Sequence, residues 1–245
     1  MEQPLQRLSA EKILALWETG RPQHALDRAL TILAAATPGA RRAALADLSI
    51  GERDARLLQL RALVLGPRAE GFAECPRCSE RVEFPLDFSA LLEGRAPSRP
   101  AVTCARHEIE TNGHQISFRL PTSRDLAEVA LAPDSVEALR RLAEVCLLDF
   151  PEFDLPNETL ETVSRAMLEA DPLAEILMCL ECPACGHEWD LLFEIAEFFW
   201  TEIAAQAQRL LREIDALARA YGWTEREILN LPAQRRQTYL ELVAA

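Results

Sequence analysis

Four cysteines, arranged as two Cys-Pro-x-Cys motifs, constrain the fold of this chain more than any other feature. The first motif is Cys75-Pro76-Arg77-Cys78, and the second, far along the chain, is Cys182-Pro183-Ala184-Cys185. Thiolates are soft ligands that zinc accepts in tetrahedral geometry, and a two-residue spacer lets both sulfurs of a motif face one ion. The sequence therefore predicts one structural zinc ion bound by Cys75, Cys78, Cys182 and Cys185.

Other interpretations of the cysteines stay open at this stage. Each motif could be a redox pair or a turn that packs without metal, although neither leads from a strand into a thioredoxin-like helix. Cys179 and His187 adjoin the second motif, and the sequence leaves open whether either joins the ligand set. We expect Cys179 to lie in the core and His187 to lie on the hairpin. Cys104 and Cys146 are expected to be ordinary buried thiols.

Short alternating segments flank both motifs and predict a split zinc ribbon. Residues 71–74 and 81–86 surround the first motif, and residues 177–181 and 187–191 surround the second. Alternation of apolar and polar residues is typical of half-buried strands. Two strand–turn–strand units would then meet at one ion.

Helical patterns fill the N-terminal part of the chain. Ser9 can cap a helix that ends at Gly20, and Pro22 suits the first position of a second helix. Ser49 and Glu52 form the pattern of a capping box, which predicts a third helix that ends at Gly66.

A long helix and two short ones are predicted at the C-terminal end. The long helix spans about residues 196–221 and ends at Gly222. Thr224 caps the first short helix, and Pro232 begins the last one.

The segment between the two motifs predicts an inserted subdomain. Residues 92–101 are rich in Gly, Pro, Ser and Arg, which indicates a linker. Asn112-Gly113 lies between two alternating segments, which is the strongest short-range signal for a β-hairpin. His107 and His114 flank this turn and are interpreted as surface polar residues rather than metal ligands. Helical patterns follow, separated by a loop at residues 149–156.

The predicted fold class is α+β and mostly helical. Helical N- and C-terminal regions surround a split four-cysteine zinc ribbon, which carries an inserted subdomain of a hairpin and helices. The predicted segments are residues 1–66 for the N-terminal helical region, 67–91 and 176–195 for the ribbon, 92–175 for the insert and 196–245 for the C-terminal helices.

Charge and motif content exclude several classes of function. A net charge of −13 and a pI of about 4.9 argue against a general nucleic-acid binder or a protein that docks on anionic membranes. No apolar run reaches the roughly 18 residues of a membrane span, and the first residues do not resemble a signal peptide. Four of the seven cysteines lie in CxxC pairs, which fits metal binding in a reducing cytoplasm better than a secreted disulfide scaffold. The chain lacks a phosphate-binding loop and a nucleophile elbow, so we expect no enzyme.

Three segments carry a resemblance to proteins of contractile phage tails. Residues 217–232, with Arg235-Arg236 and residues 239–242, resemble a segment of phage-tail and tail-like injection-system proteins. Gly51-Glu52-Arg53-Asp54-Ala55-Arg56-Leu57-Leu58 and Phe118-Arg119-Leu120-Pro121-Thr122 resemble the T-even-type phage baseplate hub assembly chaperone family. The cysteine motifs are similar to those of the injection-system branch.

The resemblance implies a non-enzymatic cytoplasmic factor that helps to build the baseplate or its hub, as a chaperone or a structural component. Its partners would be other baseplate and tail proteins, without nucleic acid or membrane. The oligomeric state and whether the protein stays in the finished particle remain open. We expect Tyr221, Trp223, Leu231 and Tyr239 to bind the partner, because they place aromatic and apolar side chains in short helices. Alternatively, these residues fold back on the long helix.

Two other functions are less consistent with the sequence. A zinc-ribbon nucleic-acid-binding or transcription-related factor would need a basic, aromatic face, but Arg77 and Arg81 stand among six acidic residues: Glu74, Glu80, Glu83, Glu181, Glu188 and Asp190. A metal-dependent hydrolase would need an open coordination position on the zinc.

Overall fold

The computed structural model describes residues 4–94, 106–111, 114–149 and 156–244, and within them the fold is α+β and mostly helical, as predicted. The described helices are α1 (Ala10–Gly20), α2 (Ala25–Ala36), α3 (Arg42–Ala46), α4 (Ile50–Leu65), α5 (Phe88–Gly94), α6 (Ser123–Val129), α7 (Ser135–Cys146), α8 (Asn157–Ala170), α9 (Ile195–Tyr221), α10 (Glu225–Leu229) and α11 (Ala233–Ala244). The described strands are β1 (Arg68–Glu74), β2 (Arg81–Asp87), β3 (His107–Thr111), β4 (His114–Phe118), β5 (Leu177–Glu181) and β6 (Glu188–Leu192).

The strands form three separate antiparallel hairpins. β1 pairs with β2 from Arg68↔Asp87 to Glu74↔Arg81, and β5 pairs with β6 from Leu177↔Leu192 to Glu181↔Glu188. These two hairpins are the predicted halves of the ribbon. β3 pairs with β4 in the insert, while the predicted Asn112-Gly113 turn lies outside the described residues.

The long helix α9 is the centre of the main core. It packs against α1, α2 and α4 of the N-terminal region and against α10 and α11. The same apolar cluster includes Leu86 of β2 and Leu180 of β5, which attach both ribbon hairpins to it. α9 ends at Gly222, whose φ of 70° is a left-handed conformation that favours glycine. Both terminal helical regions therefore share one core, and the division of the chain into the predicted segments remains a prediction.

A buried arginine fixes the first ribbon hairpin to the helices. Arg61 of α4 is 3% exposed, and its guanidinium donates to the carbonyl oxygens of Gly66 and Arg68 at 2.7 and 3.0 Å. It also forms an ion pair with Glu202 of α9 and lies 4.1 Å from the ring centroid of Phe88. One side chain thereby connects α4, the start of β1 and α9.

The insert has its own smaller core. Phe118 of β4, Cys146 of α7 and Val163 of α8 are buried together there, and Cys146 is the buried thiol that was predicted. Among the described residues, this cluster is separate from the main core.

The start of α2 differs from the sequence-based prediction. Pro22 does not begin α2, because the Gln23 N–H donates to the Gly20 carbonyl oxygen at 3.0 Å and closes a turn around the proline. His24 caps α2 instead: its Nδ1 accepts from the Leu26 N–H at 3.4 Å.

Two short helices, α3 and α5, were not predicted. The linker expected at residues 92–101 is wrong at its start, because α5 continues to Gly94 after Asp87 accepts hydrogen bonds from Ser89 N and Ala90 N. The rest of that linker, Cys104 and most of the loop at residues 149–156 lie outside the described residues.

Within the described parts of the chain, none of the helices combines the length and the apolar character that a bilayer crossing requires.

Candidate metal centre

The two cysteine motifs form the same kind of turn. The Cys75 N–H donates to the Glu80 carbonyl oxygen at 2.9 Å, and the Cys182 N–H donates to the His187 carbonyl oxygen at the same distance. Each bond closes the end of a ribbon hairpin, so the strands hold both turns in place. The two halves of the centre are thus local structures that the flanking strands specify.

A left-handed residue follows the second cysteine of each motif. Ser79 has a φ of 59° and Gly186 a φ of 64°. The N–H of each then reaches back to the first cysteine of its motif: Ser79 donates to the Cys75 carbonyl oxygen at 2.9 Å, and Gly186 donates to the Cys182 carbonyl oxygen at 2.8 Å. A serine tolerates this backbone less readily than a glycine, so the first turn is the more strained of the two.

The four sulfurs gather at one point. The Cys75 and Cys185 Sγ atoms are 3.7 Å apart, the Cys78 and Cys182 Sγ atoms are 3.6 Å apart, and all four lie within 4.8 Å of one another. Four thiolates at the usual zinc–sulfur distance of ~2.3 Å from one ion would be ~3.8 Å apart in a tetrahedron. The quartet therefore has the size of a tetrahedral metal site and could bind a metal ion.

Backbone N–H groups of the turns donate to the cysteine sulfurs. Burial opposes ionisation of Cys75, but the N–H groups of Arg77 and Cys78 and the adjacent thiols lower its pKa to about 7. The N–H of Glu80 also favours the Cys78 thiolate, yet the Cys185 thiol, burial and the other thiols raise the pKa of Cys78 to about 12. The sulfurs compete for negative charge, and a divalent cation at their centre would remove that competition.

The centre is buried on one side and open on the other. Cys75 and Cys182, the first cysteines of the two motifs, are 1% and 0% exposed, and they pack with Val82 and Trp189. Cys78 is exposed, and Cys185 is half-buried. Solvent therefore reaches one edge of the quartet, while the other edge belongs to a small apolar cluster.

Neither Cys179 nor His187 belongs to the sulfur cluster among the described residues. The expectation that Cys179 is buried is wrong: it is exposed, because its neighbour Leu180 occupies the inner face of β5 and successive strand residues alternate between faces. His187 lies at the end of the hairpin and stacks on Trp189, with ring centroids 6.2 Å apart.

A buried polar junction, which no motif in the sequence predicted, connects the two cores. Arg53 of α4 donates to both carboxylate oxygens of Asp54 at 2.7 and 3.1 Å and to Ser123 Oγ of α6 at 3.3 Å. The Ile50 N–H donates to the Pro121 carbonyl oxygen at 3.0 Å. The segments at residues 51–58 and 118–122, which carried the family resemblance, therefore lie at one interface. That resemblance was the signal in the sequence that could have revealed the junction.

Asp171 completes the junction from the end of α8. Its Oδ2 accepts from the Gly51 N–H at 2.8 Å, and Ser49 also donates to it. Burial raises the pKa of Asp171 in spite of these bonds and of the nearby Arg53. His107 is half-buried close to this site and stacks on Phe118, so it is not the surface residue that was expected.

The residues predicted to bind a partner lie together at the far end of α9. Tyr221 stacks on Trp223 at 4.6 Å, and Tyr239 meets both rings edge-on at 5.6 and 4.8 Å. Trp223 and Tyr239 pack against the main core, whereas Tyr221 remains 38% exposed. Leu231 is half-buried, and its carbonyl oxygen accepts from Arg236 at 3.4 Å. The cluster thus folds back on the helix and also presents an aromatic edge to solvent.

Comparison with known proteins identifies a family. A family model described as "T4 bacteriophage base plate protein" matches residues 7–200. The match includes both cysteine motifs, the insert and the polar junction, and it ends in the first turns of α9. No curated protein and no solved structure gives a significant match.

Proposed function

This chain belongs to the T4 bacteriophage base plate protein family, and on that premise we propose that it is a baseplate or hub assembly protein of a contractile, phage-tail-like injection system. The observation that carries the proposal is the family match over most of the chain, through both halves of the ribbon and the insert. The protein acts by binding other baseplate and tail proteins, and it does so in the cytoplasm, where thiolate ligands stay reduced.

We propose that the sulfur quartet binds one structural zinc ion. The tetrahedral spacing supports this assignment, and four protein ligands leave no position for water or substrate. The ion would link β1–β2 to β5–β6, which are distant in sequence. Binding free energy would then contribute directly to folding of the ribbon.

Metal analysis and cobalt substitution test the zinc assignment. The purified protein should contain one zinc per chain, and the cobalt form should show the absorption bands of tetrahedral thiolate coordination. Cys182→Ser should lose the metal and lower the melting temperature, whereas Cys179→Ser, at an exposed cysteine outside the quartet, should change neither. A Cys182→Ser protein that keeps its metal and its stability would contradict the assignment.

The surface of the ribbon supports protein binding over nucleic-acid binding. The exposed acidic residues of the two hairpins outnumber the exposed arginines, which are Arg68, Arg77 and Arg81. Phosphate backbones need cationic surface, which these hairpins do not offer. The closed ligand set also disfavours metal-dependent hydrolysis, and the proposed role is non-enzymatic.

We propose that the aromatic cluster of Tyr221, Trp223 and Tyr239, together with Leu231, contacts a baseplate partner. The exposed edge of Tyr221 supports this, because partly exposed aromatic residues are frequent anchors in protein interfaces. Tyr221→Ala should weaken co-purification with the partner and leave the melting temperature nearly unchanged. Leu242→Ala, at an exposed apolar residue of α11 outside the cluster, is the matched control.

Deletion of the gene in the injection-system cluster tests the assembly role. Particles should then lack complete baseplates, and the wild-type gene supplied in trans should restore them. Mass spectrometry of purified particles separates the two forms of the proposal: a structural component is retained, and a chaperone is absent from particles whose assembly needs it. Normal particles from the deletion strain would refute the proposed function.

A further inference from the structure

A cleft of about 400 Å³ lies beside the buried polar junction. Its walls include Leu26 of α2, Ile50 of α4 and Leu126 of α6, together with Ile176 and Leu192 at the base of the second ribbon hairpin. The N-terminal helices, the insert and the ribbon therefore each contribute part of one site. We call it the junction cleft.

The charged residues that line the junction cleft are one arginine and three acids: Arg53, Asp54, Glu194 and Glu197. The Arg53 guanidinium is already engaged by Asp54. Glu197 lies 3.6 Å from Arg28 on the surface. Glu194 precedes α9, is exposed, and has no ion-pair partner among the residues that the structure describes.

Acidic side chains outnumber basic ones among the residues that line the cleft. Burial raises the pKa of Asp54, and although Arg53 opposes that shift, the nearby carboxylates of Asp171 and Glu194 add to it. An additional cation at this place would reduce the repulsion among three carboxylates. The walls around them are mostly apolar, so a cation carried on an aliphatic stem would also find contacts for its stem.

We propose that the junction cleft receives an arginine side chain, flanked by apolar residues, from a second protein of the baseplate. The carboxylate of Glu194, which has no ion-pair partner among the described residues, supports a cation. The apolar walls support a weakly hydrated cation that binds a carboxylate through two parallel hydrogen bonds. This inference rests on the proposed function for the identity of the partner. The binding chemistry itself can be tested without the partner.

A short peptide provides the direct test. The probe is acetyl-Leu-Arg-Leu-amide, added to the full metal-loaded chain, with binding followed by amide chemical shifts. We expect a dissociation constant on the order of millimolar and shifts confined to α2, the start of α9 and the base of the ribbon. The peptide with citrulline in place of arginine keeps the shape without the charge, and it should bind at least about tenfold more weakly. Lysine in the same position should fall between the two.

Protein variants locate the site. Glu194→Gln removes an exposed charge without disturbing the core and should weaken arginine-peptide binding at least about tenfold. Ala196→Leu keeps the charges and fills the cleft from α9, so it should also prevent binding. Glu83→Gln removes an exposed acid from the outer face of β2 and should have no effect.

Three results would overturn the proposal. Equal binding of the arginine and citrulline peptides would show that the charge does not contribute to binding. Chemical-shift changes at other residues would show that the peptide does not bind in the junction cleft. If the chain associates with itself and Glu194→Gln abolishes that association, the occupant of the junction cleft is a second copy of this chain. In co-purification with the baseplate proteins of the same gene cluster, Glu194→Gln should lower recovery of one partner. If Glu194→Gln leaves the recovery of every partner unchanged, while gene deletion still prevents assembly, this inference fails and the proposed function stands.

Discussion

Gly51→Ala is a sharp test of the buried junction, because two opposite effects compete there. Gly51 lies in the first turn of α4, and alanine in place of a helical glycine stabilises a helix by ~1 kcal/mol when there is room for the methyl group. At this position a Cβ atom would lie 2.0 Å from Asp171 Oδ1, 2.6 Å from its Cγ and 3.0 Å from the Ala174 nitrogen. The junction leaves no room for it.

The steric effect should exceed the helical gain. Moving Asp171 away would break its 2.8 Å bond from the Gly51 N–H, and a buried bond to a charged group contributes ~1.5–3 kcal/mol. Overpacking adds ~1–3 kcal/mol, so after the helical gain the free energy of unfolding should fall by about 2–5 kcal/mol. For a chain of this length, that lowers the melting temperature by roughly 4–20 °C.

Urea unfolding followed by circular dichroism measures this change, and a double-mutant cycle tests its cause. Asp171→Ala removes the clashing carboxylate, so Gly51→Ala should cost clearly less in that background than in the wild-type protein. A Gly51→Ala protein as stable as wild type, or more stable, would show that α4 and the end of α8 do not approach each other this closely.

Three further outcomes are expected. Gly186→Ala should lower the stability of the metal-loaded protein by ~1 kcal/mol, and Ser79→Gly should raise it by a similar or smaller amount, because both positions have left-handed backbone. In thermal melts, the melting temperature should therefore fall for Gly186→Ala and rise for Ser79→Gly. Burial raises the pKa of Asp171 above its ordinary 3.8, so the folded state holds this proton more tightly than the unfolded chain does. The free energy of unfolding should therefore fall as the pH rises above about 4. Asp171→Asn should remove this contribution to the pH dependence of the free energy of unfolding, measured by urea titration. Arg236→Ala should cost about 1.5–3 kcal/mol and speed amide exchange in α11, because the buried Arg236 loses its 2.7 Å bond to the half-buried Glu213 of α9. Arg235→Ala, at an exposed site, should change little.

Local signals in the sequence predicted many element boundaries correctly. Ser9, Ser49 and Thr224 are the N-caps of α1, α4 and α10, as their side-chain chemistry indicated. Gly222 ends α9 in the left-handed conformation that favours glycine. These features depend on a few neighbouring residues, which is why the sequence alone specified them.

Predictions failed where tertiary contacts decide. Cys179 was expected in the core, yet the face of β5 that packs inward carries Leu180 instead. His107 was expected at the surface, yet the insert holds it against Phe118. Burial of a strand residue depends on which face meets the rest of the protein, and a short strand pattern does not state that.

The two Cys-Pro-x-Cys motifs show the division between sequence and structure most clearly. The sequence alone identified the four candidate ligands and the hairpins that carry them, because a thiolate pair in a tight turn is a local arrangement. Only the tertiary structure brought Cys78 to 3.6 Å from Cys182, and only it joined the segments at residues 51–58 and 118–122 into a buried junction. The physical reason is that such contacts depend on the packing of α9 against the N-terminal helices and the ribbon, and no local pattern encodes that packing.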